Sequence, residues 1–402
     1  ISACLVGSEM CIRDRWNRSR SYSPNVGPAV NWSPGSIRRV PVKITPYVGL
    51  ADLVPEKGFY HLLRQLTPSW YSFKTAKVIH AFRLWGPKAI FPSGFFTQLF
   101  SDRVFTGAEL AGYLLDHRLY NKISPGEDPL LIRTPYGVRV RISQTEIQGQ
   151  FSGPLGHTDD LLRACGEVGL TTEYPIYTSD GKATLGDLIG DSIAQFDINH
   201  ELEWTSEALA RYLAPQSFWT NRFNECFSFD DIALSLLKRA PGQGTCLGTH
   251  VPHALTCLYR ISERHPFLSD YVSDRIVSYL KEVSLMVAAS RQGDGWWAGR
   301  WAPATAAFDR TRETEEFTSL ISTGHHLEWI ALAPPDCRPP ESIIRSAIHG
   351  ILKLVSRFTA YEICQCYLPL THLACALCLL KNKTPSDILQ AWKTTRVHAG
   401  NK

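Results

Sequence analysis

The chain has 402 residues, of which 44% are apolar and 20% charged, and its formal net charge at pH 7 is +4. These fractions are typical of a folded globular protein and exclude a disordered chain. The charge is too small to predict binding to nucleic acid or to an anionic membrane surface. No run of about 18 apolar residues predicts a membrane-spanning helix. The length allows one large domain or two ordinary ones, and the oligomeric state stays open.

Residues 5–15 resemble a translated transposase adapter from DNA library preparation, so residues 1–15 are set aside as an artefact. The methionines agree with this interpretation, because Met10 lies in the suspected adapter and the next methionine is Met286. We therefore expect the natural start to lie upstream, and a targeting signal cannot be read from this sequence.

Cysteine usage bears on the compartment. Of the 11 cysteines, Cys4 and Cys11 fall in the suspected adapter, which leaves nine, an odd number. Several of these lie inside apolar helical runs such as 372–380. Free cysteine in such runs behaves as a small buried apolar residue. The pattern favours a reducing compartment such as the cytoplasm.

Residues 16–142 contain three kinds of segment: an arm, a helical region and a hairpin. Residues 16–50 contain five prolines and no helical period, which predicts a flexible basic arm. Apolar residues at helical spacing then predict helices within 56–86 and 96–118. At 130–142, apolar residues alternate with arginines around a Pro-Tyr-Gly turn. This alternation predicts a small β-hairpin inserted in a helical protein.

Helical runs follow one another with short loops from about residue 156 onward. We predict helices at 157–168, 183–213, 229–239, 249–264, 267–291, 315–333, 340–357, 361–380 and 385–394. Short connections between many helices are typical of an array of antiparallel helical hairpins. The sequence therefore predicts one all-α domain over 51–395.

One sequence word occurs twice in this array. Residues 200–204 read HELEW and residues 325–329 read HHLEW, each next to a helical run. In both, a histidine stands three residues before a glutamate, which on a helix places the two side chains on one face. Internal repeats are the sequence signature of stacked or circular helical folds.

Four predicted helix starts also join a threonine to a histidine. In a ring of helices, these imidazoles would collect at one rim of a central cavity. The histidines are His157, His250, His325 and His372.

A glutamine–tryptophan segment, Gln292-Gly-Asp-Gly-Trp-Trp297, follows the helix predicted at 267–291. It resembles the QW motif of squalene and hopene cyclases and the related protein prenyltransferases. In that family the Gln and the Trp brace neighbouring helix ends, and the fold is an α/α toroid, a ring of inner and outer helices. The resemblance implies a toroid over 51–395. It implies little terpene chemistry, because neither an Asp-x-Asp-Asp acid motif nor an Asp-Asp-x-x-Asp diphosphate site is present.

The twin segments also suggest chemistry. We expect Glu203 and Glu328 to act as acid and base, assisted by His250 and His325. Two carboxylates facing one cavity would suit glycoside hydrolysis. In the alternative interpretation, each glutamate bridges helices and each tryptophan fills the wall between repeats. Further residues are predicted to line the cavity or bind the ligand: His200, Trp204, Cys246, His253, Asp294, Trp297, His326 and Trp329.

No cofactor is predicted, and zinc is the alternative. Cysteine and histidine at these spacings suit zinc, which in catalytic sites takes three protein ligands and a water molecule. His325 or His326 could complete such a set from another helix. The predicted ligands are Cys246, His250 and Cys257, with His253 on the same helical face.

The sequence thus predicts a toroidal protein that binds a small molecule or glycan in a central cavity, with acid–base chemistry by Glu and His. A non-catalytic binding or scaffold toroid is the second hypothesis. A terpene-cyclase-like or zinc-dependent enzyme without the usual family motifs is the third. Substrate and reaction, and whether the protein is an enzyme at all, stay open at this point.

Overall fold

The computed structural model describes residues 35–391, apart from 48, 70–74, 92–103, 142–145, 148–149, 152–156 and 308–313. The suspected adapter and most of the predicted arm lie outside the described residues. The helices are α1 Glu56–Gln65, α2 Thr75–Trp85, α3 Gly107–Leu115, α4 His117–Ile123, α5 Asp160–Glu167, α6 Leu185–Gln195, α7 Glu203–Leu213, α8 Phe229–Leu237, α9 His250–Ser262, α10 Asp270–Ala289, α11 Glu315–Leu332, α12 Glu341–Val355, α13 Ala360–Gln365 and α14 Tyr367–Lys381. The strands are β1 Leu131–Thr134, β2 Gly137–Val140, β3 Glu146–Ile147, β4 Gln150–Phe151, β5 Pro175–Thr178, β6 Gly181–Thr184, β7 Phe218–Thr220 and β8 Cys226–Ser228.

The fold is predominantly helical, so the all-α prediction is confirmed. The predicted hairpin is also confirmed, since β1 pairs antiparallel with β2 and Thr134 faces Gly137 at the turn. Three more two-stranded hairpins, β3–β4, β5–β6 and β7–β8, were not predicted. Their strands have at most four residues, too few to show a clear alternation. The toroidal ring stays a prediction.

In the described part of the chain, no helix combines the length and the apolar character that crossing a membrane requires.

The helix predicted at 183–213 is two helices, which corrects the prediction. Thr184 and Asp187 form a capping box that starts α6. Between α6 and α7, the Asp197 carboxylate accepts the Asn199 N–H at 2.9 Å. Such a local side-chain turn competes with helix, so α7 begins only at Glu203.

The chain forms two compact units. Unit 1 comprises residues 1–44 and 115–279, and unit 2 comprises 45–114 and 280–402. In unit 1, α7 packs against α5 and α9, and all its residues are buried. In unit 2, α11 packs against α14, which also contacts α2. Residues 319–332 of α11 are likewise all buried. Each unit therefore has a central helix whose polar residues must find partners inside protein.

Part of the predicted flexible arm is bonded to unit 1. The Arg38 N–H donates to the Tyr212 carbonyl at 2.7 Å, and the Val42 N–H donates to the Arg211 carbonyl at 2.9 Å. Arg211 returns a side-chain hydrogen bond to the Val42 carbonyl at 3.0 Å. These bonds hold residues 38–42 along the end of α7.

Candidate functional site

The two copies of the repeated word lie differently in the helices. His325–Trp329 is in the second half of α11, where His325 and Glu328 share a helix as predicted. His200 precedes α7, whose first residue is Glu203, so the prediction of one helix face is wrong for that copy. His200 is half exposed beside Asp197, 3.6 Å away. The two copies of the repeated word therefore do not occupy equivalent positions in their helices.

The histidine-bearing helix starts are likewise only partly as predicted. His250 is the first residue of α9. His157 lies three residues before α5. His325 and His372 stand inside α11 and α14, so they are not at helix starts.

Glu328 sits in a dry ionic cluster of unit 2, which we call the Glu328 cluster (Arg83, Glu328 and His372). Its carboxylate lies 2.8 Å from Arg83 Nη1 through Oε1 and 2.7 Å from His372 Nδ1 through Oε2. The three side chains are 2–4% exposed. The His325 ring stacks on His372 with centroids 3.8 Å apart. Both oxygens of the predicted catalytic carboxylate are thus engaged inside the protein.

Unit 1 has a second buried cluster, the Glu207 cluster (Arg163, Glu207, His253 and Cys257). The sequence indicated His253 and Cys257 as candidate site residues but not Arg163 or Glu207. Glu207 Oε1 lies 3.6 Å from Arg163 Nη1, and Oε2 lies 3.4 Å from His253 Nε2. The Cys257 thiol is 3.6 Å from the same Oε2. Within the described residues, neither ring nitrogen of His253 has a hydrogen bond of good geometry. The cluster is buried like the Glu328 cluster, but its contacts are longer.

The Glu207 cluster is electrostatically coupled. Burial alone would raise the pKa of Glu207, but His253 and Arg163 outweigh it and hold the pKa below its usual range. Burial alone would lower the pKa of His253, and the Glu207 carboxylate overcomes this and raises it well above the ordinary value. The pair therefore favours imidazolium with carboxylate.

Glu203, the other predicted catalytic carboxylate, is also buried and paired. Its side chain is 2% exposed and forms an ion pair with Arg239. The Leu202 N–H donates to its Oε2 at 3.1 Å. Burial raises the pKa of Glu203, as does Glu201 nearby, against the opposing effect of Arg239.

The accessible acid–base pair near α7 is instead His157 with Glu201. His157 Nδ1 lies 3.1 Å from both Glu201 oxygens, and the two side chains are 20% and 17% exposed. Thr245 donates its hydroxyl to Glu201 Oε1 at 3.0 Å. Burial alone would lower the pKa of His157, but the Glu201 carboxylate raises it above the ordinary value. This pair combines partial solvent access with a strong hydrogen bond.

Trp204 links this pair to the start of α9. Its indole stacks on the His157 ring, with centroids 4.1 Å apart and planes inclined by 14°. On the same indole, the His250 ring packs at 4.6 Å with a 40° tilt. Two of the predicted rim histidines therefore meet through the tryptophan of the first repeated word.

The glycine-rich segment Gly242–Gly248, here called the glycine loop, borders this group. Cys246 and Leu247 have positive φ angles of 49° and 64°, a left-handed conformation that costs about 1–2 kcal/mol for a residue with a Cβ. A Cβ on Gly248 would overlap the backbone of Gly242. The Cys246 thiol lies within 4.8 Å of a His250 ring nitrogen.

The predicted zinc face divides into two groups in unit 1. Cys246 is near His250, whereas the ligand atoms of His253, Cys257 and Glu207 lie within 4.8 Å of one another. The sequence set of Cys246, His250 and Cys257 combined members of both groups.

The glutamine–tryptophan segment makes a tight turn in unit 2. Gly295 has φ of 101°, and a Cβ there would meet the Ser346 carbonyl at 2.6 Å, so glycine is needed at this position. Trp297 is fully buried and its backbone N–H donates to the Thr323 hydroxyl at 2.9 Å. Gln292 bonds within its own loop, through its backbone N–H to the Trp296 carbonyl at 2.8 Å.

An open cleft of about 440 Å³ borders the same turn. Its lining residues are Gln292, Gly293, Asp294, Trp296, Glu315 and Glu316. The predicted residue Asp294 is thus exposed in a shallow acidic cleft.

His326 is enclosed by indoles in the core of unit 2. Trp329 Nε1 donates to His326 Nδ1 at 2.8 Å, and the rings of Trp301 and Trp297 approach edge-on at 4.4 Å and 6.0 Å. Burial lowers the pKa of His326 to about 3, so this imidazole is neutral at physiological pH. His326, Trp297 and Trp329 are all fully buried.

The residues that the sequence missed share one weak signal. In each cluster a glutamate on the central helix meets a histidine some 44 residues later, as in Glu328 and His372; Glu207 and His253 have a similar separation. The arginines have no such regularity, since Arg83 precedes the central helix by far more than Arg163 does. Comparison with known proteins adds no name to these sites, because no family model, curated protein or solved structure matches the chain.

Proposed function

We propose that the chain is a helical enzyme that binds a small molecule or glycan beside the glycine loop and performs acid–base chemistry with His157 and Glu201. The observation that carries the proposal is the exposure of this pair. Its side chains are 20% and 17% exposed, whereas Glu203 and Glu207 in the same unit are 2% and 1% exposed. A general acid or base must come within hydrogen-bond reach of its substrate, and this pair meets that requirement best.

Each member of the pair has a distinct role in this proposal. With Nδ1 directed to Glu201, the His157 ring keeps Nε2 for proton exchange with the ligand. Glu201 fixes the tautomer and stabilises the imidazolium. Since the Glu201 carboxylate raises the pKa of His157, the ring can deliver a proton near neutral pH. Trp204 stabilises the protonated ring further, because an indole face attracts a cation.

The glycine loop supplies the ligand contacts in this proposal. Gly248, lacking a side chain, lets the loop close tightly on the Gly242 backbone beside the pair. The half-buried Cys246 thiol, next to His250, adds a nucleophile or soft ligand at the same edge. A toroid with the site at the helix ends remains the architecture that we propose, in keeping with the glutamine–tryptophan resemblance.

A panel of chromogenic glycosides and esters tests the function. We expect turnover of at least one class by the wild-type protein, and a loss of about 100-fold or more in His157→Asn and Glu201→Gln. His349→Asn, at an exposed histidine of unit 2, is the matched control and should keep full activity. Turnover that survives in both site variants would contradict the assignment.

A scaffold function is the second candidate, and one observation favours it. Glu203 and Glu328, the carboxylates of the repeated words, are both buried and held in ion pairs with arginine. This is the arrangement expected of wall residues. No turnover of any class in the panel, together with unchanged folding of His157→Asn and Glu201→Gln by circular dichroism, would favour the scaffold.

A further inference from the structure

We propose that Glu207, His253 and Cys257 form a zinc site inside unit 1. The inference is independent of the acid–base site, because it uses none of that site's residues. The three side chains are an oxygen, a nitrogen and a sulfur donor, which is a ligand set typical of zinc. All three are buried, so they are shielded from competing water.

The distances between the donor atoms suit a tetrahedral ion. With bonds of about 2.0–2.2 Å to nitrogen and oxygen and about 2.3 Å to sulfur, tetrahedral zinc separates its N and O ligands by about 3.3–3.5 Å and its O and S ligands by about 3.5 Å. The His253 Nε2 to Glu207 Oε2 distance is 3.4 Å. The Cys257 Sγ to Glu207 Oε2 distance is 3.6 Å. The N···O separation is too long for a strong hydrogen bond, the S···O separation is that of a thiol hydrogen bond, and both are close to the edges of a coordination tetrahedron.

The imidazole gives a second, independent indication. His253 is 3% exposed, and within the described residues neither of its ring nitrogens has a hydrogen bond of good geometry. A buried polar group without a good partner is destabilising. Binding of a metal through Nε2 would satisfy that nitrogen.

The charge of the surroundings is compatible with a divalent ion. Zinc binds neutral imidazole and thiolate, so Zn²⁺ would replace the proton of the His253 ring and the proton of the Cys257 thiol. The two protons remove two positive charges and Zn²⁺ brings two, so the net charge of the cluster stays the same. Arg163 lies 3.6 Å from Glu207 Oε1, and Asp160 partly balances its charge at 3.6 Å. Three protein ligands leave one tetrahedral position for water or another small ligand.

Cobalt titration of the metal-free protein tests the site. After removal of metals by a chelator, we expect one Co²⁺ per chain to bind, with the visible bands of tetrahedral cobalt and a sulfur-to-cobalt charge-transfer band in the near ultraviolet. Zn²⁺ should then displace it. Cys257→Ser should lose the charge-transfer band, and His253→Gln should weaken binding at least about tenfold. Cys165→Ser, at a buried cysteine of α5, is the matched control and should retain the band.

Two outcomes would overturn the proposal. One is an absence of saturable Co²⁺ binding by the wild-type protein. The other is a charge-transfer band that persists in Cys257→Ser but disappears in Cys246→Ser, which would assign the metal to the thiol of the glycine loop. If Cys257→Ser does not fold, X-ray absorption of the zinc-loaded wild-type protein decides, because the site requires one sulfur ligand and a spectrum without sulfur contradicts it.

Discussion

Both units bury an arginine, a glutamate and a histidine from three helices, yet the two clusters are closed to different degrees. In the Glu328 cluster the carboxylate contacts are 2.8 and 2.7 Å. In the Glu207 cluster the corresponding contacts are 3.6 and 3.4 Å, and a thiol stands at 3.6 Å from the same carboxylate. The same three residue types therefore make short ionic contacts in unit 2 and longer ones, with an added thiol, in unit 1.

The difference in contact length distinguishes a cluster of buried charges that stabilises the fold from one that can bind an ion or a ligand. Removing charges from water is unfavourable unless short, well-directed contacts compensate it. The Glu328 cluster has short contacts to both carboxylate oxygens. The Glu207 cluster has longer ones, and the additional donor to its carboxylate is the Cys257 thiol. A loose buried donor set is what an ion or ligand can complete.

The histidines of the two units also differ in charge. Neighbouring carboxylates raise the pKa of His157 and His253 in unit 1. In unit 2, burial lowers the pKa of His325 well below its ordinary value and that of His326 to about 3. Unit 1 thus favours the protonated form of its two imidazoles, and unit 2 favours the neutral form of the other two.

The largest expected effect comes from neutralising the two central glutamates in metal-free protein. Glu328→Gln leaves the buried Arg83 guanidinium without its counter-charge and should lower the free energy of unfolding by about 3–5 kcal/mol. Glu207→Gln should lower it by about 1–3 kcal/mol, because Arg163 retains Asp160 at 3.6 Å. Urea unfolding measures both. Equal losses would break the distinction between a closed and a loose cluster.

Acid should destabilise unit 2 through His326. Its pKa is about 3 in the folded protein and about 6.5 in the unfolded chain, so below pH 6.5 the unfolded state binds more protons and stability falls with pH. The slope approaches 1.4 kcal/mol per pH unit, or about 2–3 kcal/mol between pH 6 and pH 4. Hydrogen exchange of α11 amides against pH measures it. His326→Gln should flatten this decline, and a decline unchanged in the variant would refute the assignment.

Alkali should have the opposite effect on unit 1. Because the folded pKa of His253 lies above the unfolded value, the stabilisation is complete below pH 6.5 and is lost as the pH rises through the folded pKa. Hydrogen exchange of α7 amides in metal-free protein measures it. His253→Gln should remove the dependence, and a slope that stays the same would count against a charged imidazole.

Local patterns in the sequence predicted the helices and the first hairpin well. The predicted run 315–333 corresponds to α11 at Glu315–Leu332. The prediction failed where a local side-chain turn interrupted an apolar period, as with the Asp197 carboxylate and the Asn199 N–H between α6 and α7. Helical period alone does not reveal such a break.

The candidate sites were harder to predict, because they depend on contacts between distant residues. The repeated word paired Glu203 with Glu328, but the residue in unit 1 that shares the environment of Glu328 is Glu207. No local sequence pattern distinguishes Glu207, because the residues around it have the pattern of an ordinary helix. Its electrostatic environment comes from Arg163 and His253, which are more than 40 positions away on either side. By contrast, the prediction that Cys246 and His250 lie together rested on residues only four positions apart, and their thiol and ring nitrogen are within 4.8 Å of each other.

The left-handed pair in the glycine loop has a consequence for engineering. Glycine adopts a positive φ without the steric cost that a Cβ brings, and Cys246 at 49° is such a position. Selection for heat resistance alone would therefore favour exchange of this cysteine for glycine, which would remove the thiol from the loop. At Cys246, the stability of the loop and the presence of its thiol therefore place opposite demands on the same residue.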